Sequence, residues 1–202
     1  MRLYLASQSP RRAQLLAQIG EPHALLLPEP GEDAEALEAA HAGEPPLAYV
    51  QRVTDAKLAA ALARHARLAL PAGLVLAADT TVALGERILG KPQDVDEAQA
   101  LLRALAGQAH QVHTAVAIAA PGGAVHRAVS TSTVWVSDIP DDALQAYVAS
   151  GEPFGKAGAY GIQGRFAAWV SRIDGSHSGI MGLPLFETAH LLRAARGGGL
   201  DD

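Results

Sequence analysis

A few charged residues stand out in this sequence for the positions they occupy. Arg11 and Arg12 fall in the first turn of a helix that Pro10 can open and Ser9 can cap. The helix dipole is positive at that end and its free N–H groups seek an anion, so cations there cost about a few tenths of a kcal/mol unless something negative joins them. Ser7 and Ser9 add hydroxyl donors to the same corner. Such a corner is either a phosphate cradle or a pair of solvated surface arginines. Asp79 follows the apolar run Leu74-Val75-Leu76-Ala77-Ala78 and precedes Thr80 and Thr81. Sites of open α/β sheets gather at the carboxyl ends of strands, where a carboxylate can hold a divalent cation or take a proton from water. The plain alternative is an aspartate capping its own backbone in an Asx-turn.

Other polar residues need the same weighing. Lys57 shares a helix face with Val50, Val53 and Ala61, so it either snorkels along the core edge or reaches an anion in a cleft. Gly85 and Gly90 precede Lys91 with P-loop spacing, but Pro92 stands where a P-loop needs a Ser or Thr on Mg²⁺. The P-loop is therefore rejected, and Lys91 stays as a cation close to Asp79 in sequence. Between Gly155 and Gly164 glycine recurs at every third position, which points to backbone passing close to something, with Lys156 and Gln163 free for polar contacts. His110 and His113 would face opposite sides of a strand and share no metal.

Elements must carry these groups. Residues 2–6 read as a strand, and a helix follows with Leu15, Leu16 and Ile19 on one face, ended by Gly20. A second strand is expected at 23–27, then a long acidic Pro/Gly-rich loop over 28–46. Pro45 and Pro46 introduce a helix to about Leu68. The strand 74–78 delivers Asp79, and a hairpin turns at Gly85. Asp94 and Glu97 carry a capping-box signature for the next helix. Strands over 111–119 and 124–136 flank Pro121-Gly122-Gly123, a short helix spans 141–148, a strand 166–173, and Pro184 opens the last helix. This alternation predicts an α/β fold around a mixed, twisted sheet flanked by helices, as one domain over 1–196 with a flexible tail at 197–202.

Composition narrows the function. Half the chain is hydrophobic (49%) and only 18% charged, so a packed core is expected. The absence of cysteine rules out a thiolate metal site or cysteine nucleophile and fits a cytoplasmic setting. No stretch reaches the roughly 20 apolar residues of a membrane helix, and the start lacks a signal-peptide core. The net charge of −5 argues against a nucleic-acid partner, which would call for a basic excess. A small anion needs only a local cation cluster.

In order along the chain, Leu5-Ala6-Ser7-Gln8-Ser9-Pro10-Arg11-Arg12, Ala78-Asp79-Thr80, Leu89-Gly90-Lys91-Pro92, Leu105-Ala106-Gly107-Gln108-Ala109-His110, the Lys156–Gly164 block and Gly182-Leu183-Pro184-Leu185 resemble the Maf family of nucleotide pyrophosphatases. The likeness runs from about residue 3 to 193. It implies two lobes with a central substrate cleft, commonly a homodimer, and hydrolysis of a free nucleoside triphosphate to monophosphate and pyrophosphate with Mg²⁺ or Mn²⁺. The Ser-Pro-Arg-Arg and Lys156–Gly164 blocks are similar to the branch directed at dTTP and UTP. In that branch the position of Asp79 is the proton acceptor, and those of Arg11, Thr80 and Gln163 bear on base selectivity. Glu32 matches the family's acidic position after the second strand and joins Asp79 as a metal candidate. Thr81 stands where an aliphatic residue is usual. Arg11, Arg12, Lys57, Lys91 and Lys156 would share the charge of the triphosphate, with Ser9 and Thr80 beside it. A non-catalytic nucleotide-binding regulator of cell division is the alternative reading.

Overall fold

The computed structural model describes residues 1–33 and 36–197. Residues 34 and 35 of the acidic loop, and 198–202 of the expected tail, lie outside the described residues.

The elements in chain order are β1 (Arg2–Leu5), α1 (Pro10–Gln18), β2 (Ala24–Leu25), α2 (Pro46–Arg67), β3 (Gly73–Leu84), β4 (Arg87–Leu89), α3 (Val95–Leu105), β5 (Ala109–Ala119) and β6 (Val125–Val136). They continue with α4 (Asp141–Ala149), β7 (Val170–Asp174), α5 (His177–Met181) and α6 (Leu185–Ala195). Short 3-10 turns occupy Ala36–Glu38, Ala157–Ala159 and Arg165–Trp169. Prolines open α1 and α2 as expected, because their missing N–H has no helical partner in the first turn. Asp94 caps α3 by accepting from the Glu97 N–H at 2.8 Å, while the Glu97 carboxylate reaches back to the Gln93 N–H.

The sheet is mixed and seven-stranded, ordered β2-β1-β3-β5-β6-β7 with β4 also on β3. β1 pairs parallel with β2 and β3, and every other pairing is antiparallel. The core divides along the long strands. Toward one end Leu3, Leu5, Leu74, Leu76, Val116 and Ile118 pack under α1 and α6. Toward the other, Val82, Leu102, Leu105, Leu144 and Phe166 pack under α3 and α4. Residues 79–81 of β3 lie between these two clusters.

Three expectations are corrected. β3 does not end at Ala78 but runs to Leu84, so Asp79 lies inside a strand rather than at its end. Thr80, Thr81 and Val82 are β-branched and favour extended backbone, and the ladder to β5 is unbroken from Val75↔Ala119 to Ala83↔Gln111. The strand expected at 166–173 begins only at Val170, because Phe166 and Trp169 both join an aromatic cluster with Tyr147. Helical spacing puts these two rings on one side, whereas a strand would separate them. Finally, α5 was not foreseen. It is a single short turn containing Gly179, stabilised by Ser176, whose hydroxyl accepts from the Gly179 N–H at 3.0 Å.

Candidate active site

Strand alternation decides where the polar residues of β3 go. Leu74, Leu76 and Ala78 face α1 and α6, while Val75 and Ala77 face Leu58 and Ala61 of α2. With a period of two, Asp79 must continue the α2 face and Thr80 the α1 face. The strand's free edge opens at the same place. β1 accompanies β3 only to Leu5↔Leu76, and β4 takes up that edge at Val82↔Leu89. Between these points, residues 77–81 have a strand neighbour on the β5 side alone. A cleft of about 420 Å³ lies against this gap.

On the α2 side Lys57 reaches into the cleft rather than snorkelling, and its Nζ lies 2.6 Å from Asp79 Oδ1. The same ammonium donates to Glu38 Oε1 at 2.7 Å, and Lys91 Nζ holds Glu38 Oε2 at 2.7 Å. Lys91 thus approaches Asp79 through Glu38 and not directly. Burial raises the Glu38 carboxyl, but Lys57 and Lys91 outweigh it and leave the group below its ordinary value. The acidic loop is pinned to α2 at this point. Tyr49 Oη donates to the Glu38 carbonyl at 2.7 Å, and Arg52 bonds the Ala39 carbonyl and the Glu44 carboxylate. Burial, with the charges of Asp79 and Glu38, pushes the Tyr49 phenol up to about 12.

Glu32 stands elsewhere. It pairs with Arg64 and Arg67, whose hydrogen bonds hold its carboxyl down at about 2, and it does not line the cleft. The structure therefore brings Glu38, and not Glu32, to Asp79. The sequence signal for Glu38 was faint, since acidic residues crowd the whole 29–44 stretch and α2 selects one of them.

On the α1 side the two arginines approach neutral oxygens. Arg11 Nε donates to the Met181 carbonyl at 3.2 Å and Arg12 Nε to the Gly182 carbonyl at 2.7 Å. Arg12 also donates to Ser7 Oγ at 3.1 Å and to Thr80 Oγ1 at a longer 3.4 Å. Gly182, at φ 123°, holds a conformation that L side chains rarely adopt, and this turn aims its carbonyl. Burial lowers both arginine pKa values, and for Arg12 the charge of Asp79 works against that shift. Lys156 is lowered too, first by burial and then by Arg11. Its Nζ donates to the Glu152 carbonyl. Among the described residues none of Arg11, Arg12 and Lys156 meets a carboxylate within 4.0 Å. Partly buried cations held by neutral acceptors leave their charge for an anion that comes from outside.

Ser9 lines the cleft beside them. Its hydroxyl makes no capping bond, so the cap expected of it is absent, while its N–H donates to Ser7 Oγ. Gln163 is exposed, does not line the cleft, and sits next to Lys156 at Gly161. The glycines of this segment do approach something closely, but it is protein. A Cβ on Gly158 would lie 2.9 Å from Val82 Cγ1, and the Gly158 N–H donates to the Gly90 carbonyl. Thr114, missed in the sequence, is fully buried opposite Thr80 and bonded to it at 2.9 Å. Its signal was a polar pair, His113-Thr114, that falls in register with Thr81 and Thr80.

Among the described residues no group of three or more acidic or histidine side chains forms a metal cage. Asp79 and Glu38 fit a cation that takes most of its ligands from phosphate, as Mg²⁺ does with one or two carboxylates. Asp79 Oδ2 makes no hydrogen bond among the described residues, whereas Lys57 already serves the other oxygen.

Fold and site together define a class: a mixed-sheet α/β protein whose cleft gathers cations around a buried carboxylate at an open strand edge. The family model described as Maf-like protein matches residues 2–195, and the chain belongs to that family. It is 62% identical over 195 residues to the dTTP/UTP pyrophosphatase of Burkholderia orbicola, covering 96% of this chain and 93% of that one. To the dTTP/UTP pyrophosphatase of Cupriavidus metallidurans it is 59% identical, with 96% of each chain covered. A solved HAM1 protein from Coxiella burnetii shares the fold with a TM-score of 0.51 at 14% identity, over 96% of this chain and 99% of that one.

Proposed function

We propose that this protein hydrolyses dTTP and UTP to the monophosphate and pyrophosphate. The observation that carries the reading is the set of Arg11, Arg12 and Lys156, cations without carboxylate partners among the described residues, which line one cleft with Asp79. Identity of about 60% to enzymes named for that reaction supports it. In this reading the triphosphate lies along the cationic side, and a water stands at Asp79 Oδ2. Asp79 accepts the proton as the water oxygen attacks the α-phosphorus. The bond from that phosphorus to the bridging oxygen breaks, and pyrophosphate departs with its charge offset by the arginines and Lys156. Lys57, 2.6 Å from its Oδ1, holds Asp79 in place. Asp79 and Glu38 would hold Mg²⁺ or Mn²⁺, which would supply charge neutralisation at the phosphates. Gln163, exposed next to Lys156, meets the base end of the substrate.

Residues 1–196 act as one catalytic domain, and the chain works as a cytoplasmic homodimer. No helix among the described residues is long and apolar enough to cross a membrane. Pyrophosphate release from a panel of nucleoside triphosphates, with added Mg²⁺ or Mn²⁺ and with EDTA, tests the reading. Turnover of UTP and dTTP that needs metal is expected. Absence of pyrophosphate from both nucleotides with metal present would overturn the reaction, and full rate in EDTA would remove the metal.

A further inference from the structure

Glu152 precedes the glycine-rich segment and touches both of its ends. At the near end its main-chain carbonyl accepts from Lys156 Nζ. At the far end its carboxylate accepts from the Arg165 N–H, at 3.1 Å to Oε1 and 3.3 Å to Oε2. Oε1 also accepts from Tyr147 Oη of α4 at 3.2 Å. Burial first, and then the charge of Glu152, raise the pKa of that phenol, so it keeps its proton and stays a donor. The Tyr147 ring is itself fixed in the aromatic cluster with Phe166 and Trp169. Between the two ends the Lys156 side chain runs past Gly161, where a Cβ would come within 3.2 Å of its Cε. Gly164 has a φ of −99°, which any residue adopts. The space a side chain would need there is taken by the Glu152 carboxylate, which a Cβ would overlap, with Cδ only 2.7 Å away.

We infer that Glu152 is a positioning residue: by tying the Gly164–Arg165 turn to α4 and Lys156 to its own carbonyl, it holds the Lys156 ammonium in the cleft. The inference rests on the triphosphate reading above and names what places one of its phosphate-binding cations. Lys156 lines the cleft and Glu152 does not, so Glu152 acts through the lysine. A carboxylate suits the task because it only accepts, and its partners here are an N–H and an O–H. Its charge reaches Lys156 as well. Arg11 of α1 and Glu152 are the charged groups that act on the ammonium: burial and then Arg11 lower its pKa, and Glu152 opposes them. Nζ takes the carbonyl and meets no carboxylate within 4.0 Å among the described residues. The lysine is thus held without its charge being spent on an ion pair.

The test measures KM and kcat for UTP, and the Kd of inorganic triphosphate by calorimetry, in wild type and folded variants. Glu152→Ala should raise KM and Kd by about tenfold and change kcat by less than about threefold, the pattern of a lost binding contact. Gly164→Ala evicts the carboxylate without straining the backbone and should weaken binding to a similar degree. Added to Glu152→Ala it should cost nothing more, because the group it displaces is already gone. Full additivity of the two substitutions overturns the inference. Glu152→Gln keeps the size and removes the charge, so Lys156 should lose its proton at a lower pH. The alkaline fall in triphosphate affinity should then begin at lower pH than in wild type. A merely structural role would lower Tm and leave KM, Kd and their pH profiles unchanged, and that result also overturns the inference. If Glu152→Ala fails to fold, wild-type binding in both Glu152→Gln and Gly164→Ala does the same. If wild type releases no pyrophosphate from UTP or dTTP, the functional reading falls, while the inorganic triphosphate titrations still decide the role of Glu152. If wild type turns over UTP and the variants bind as it does, only the role of Glu152 falls.

Discussion

Lys57 and Asp79 meet at 2.6 Å across the gap between α2 and β3, and the same ammonium holds Glu38 at 2.7 Å. One cation thus joins two carboxylates that are otherwise far apart in sequence, on a helix face that is apolar at Val50, Val53 and Ala61. Asp79→Asn removes the charge and keeps the shape, and Lys57 retains Glu38 as a partner. The variant should fold as wild type does, by circular dichroism and thermal unfolding, and lose about 10²-fold or more in kcat. A folded variant with more than about a tenth of the wild-type rate would make Asp79 a structural residue.

Glu38 and Glu32 separate the site from its support. Glu38→Gln should lower kcat and raise the Mg²⁺ or Mn²⁺ concentration needed for half-maximal rate. Glu32→Gln should leave both near wild type while loosening the loop that Arg64 and Arg67 hold. Metal titrations of the two variants check this, and the opposite pattern would return the metal role to Glu32. The stabilisation from Glu32 is complete above its unfolded value near 4.5 and fades as pH falls toward about 2.

Thr81 is buried and its hydroxyl has no hydrogen-bond partner among the described residues. Thr81→Val keeps the branched shape and removes that unsatisfied group. A gain of about 1 kcal/mol is expected, or about 2–4 °C in Tm for a chain of this size. A Tm at or below wild type in the folded variant would mean that the hydroxyl is satisfied in solution.

His110 provides a pH test of stability. Its ring is buried against the Tyr160 hydroxyl at 2.7 Å, and burial lowers its pKa from 6.5 to about 4. The unfolded chain therefore binds more protons than the folded one between those values, and stability drops as pH falls through that window. The loss approaches about 3 kcal/mol at its lower end. His110→Gln should be less stable than wild type at pH 7, and the difference should shrink by pH 4.5 in urea melts. A difference independent of pH would show that the ring titrates normally.

Much of the site was written in local pattern. Pro10 and the two arginines announce a helix N-terminus that wants an anion. The apolar run before Asp79 announces the strand that carries it, though not its continuation to Leu84, and the face shared by Lys57, Val50 and Val53 left open whether that lysine snorkels or enters the cleft. These are short-range facts, because a helix or strand period fixes which side of an element a residue occupies. What occupies the opposite side is not a short-range fact. Arg12 finds its acceptor at Gly182, 170 residues away, on a turn following a helix too short to announce itself. Glu38 displaces Glu32 because Tyr49 and Arg52 tie one particular stretch of the acidic loop to α2. Thr114 meets Thr80 because the β3–β5 register sets the two opposite each other. Local sequence determined the faces and the charges. The packing of distant segments, driven by burial of apolar clusters on both faces of the sheet, decided which charges meet.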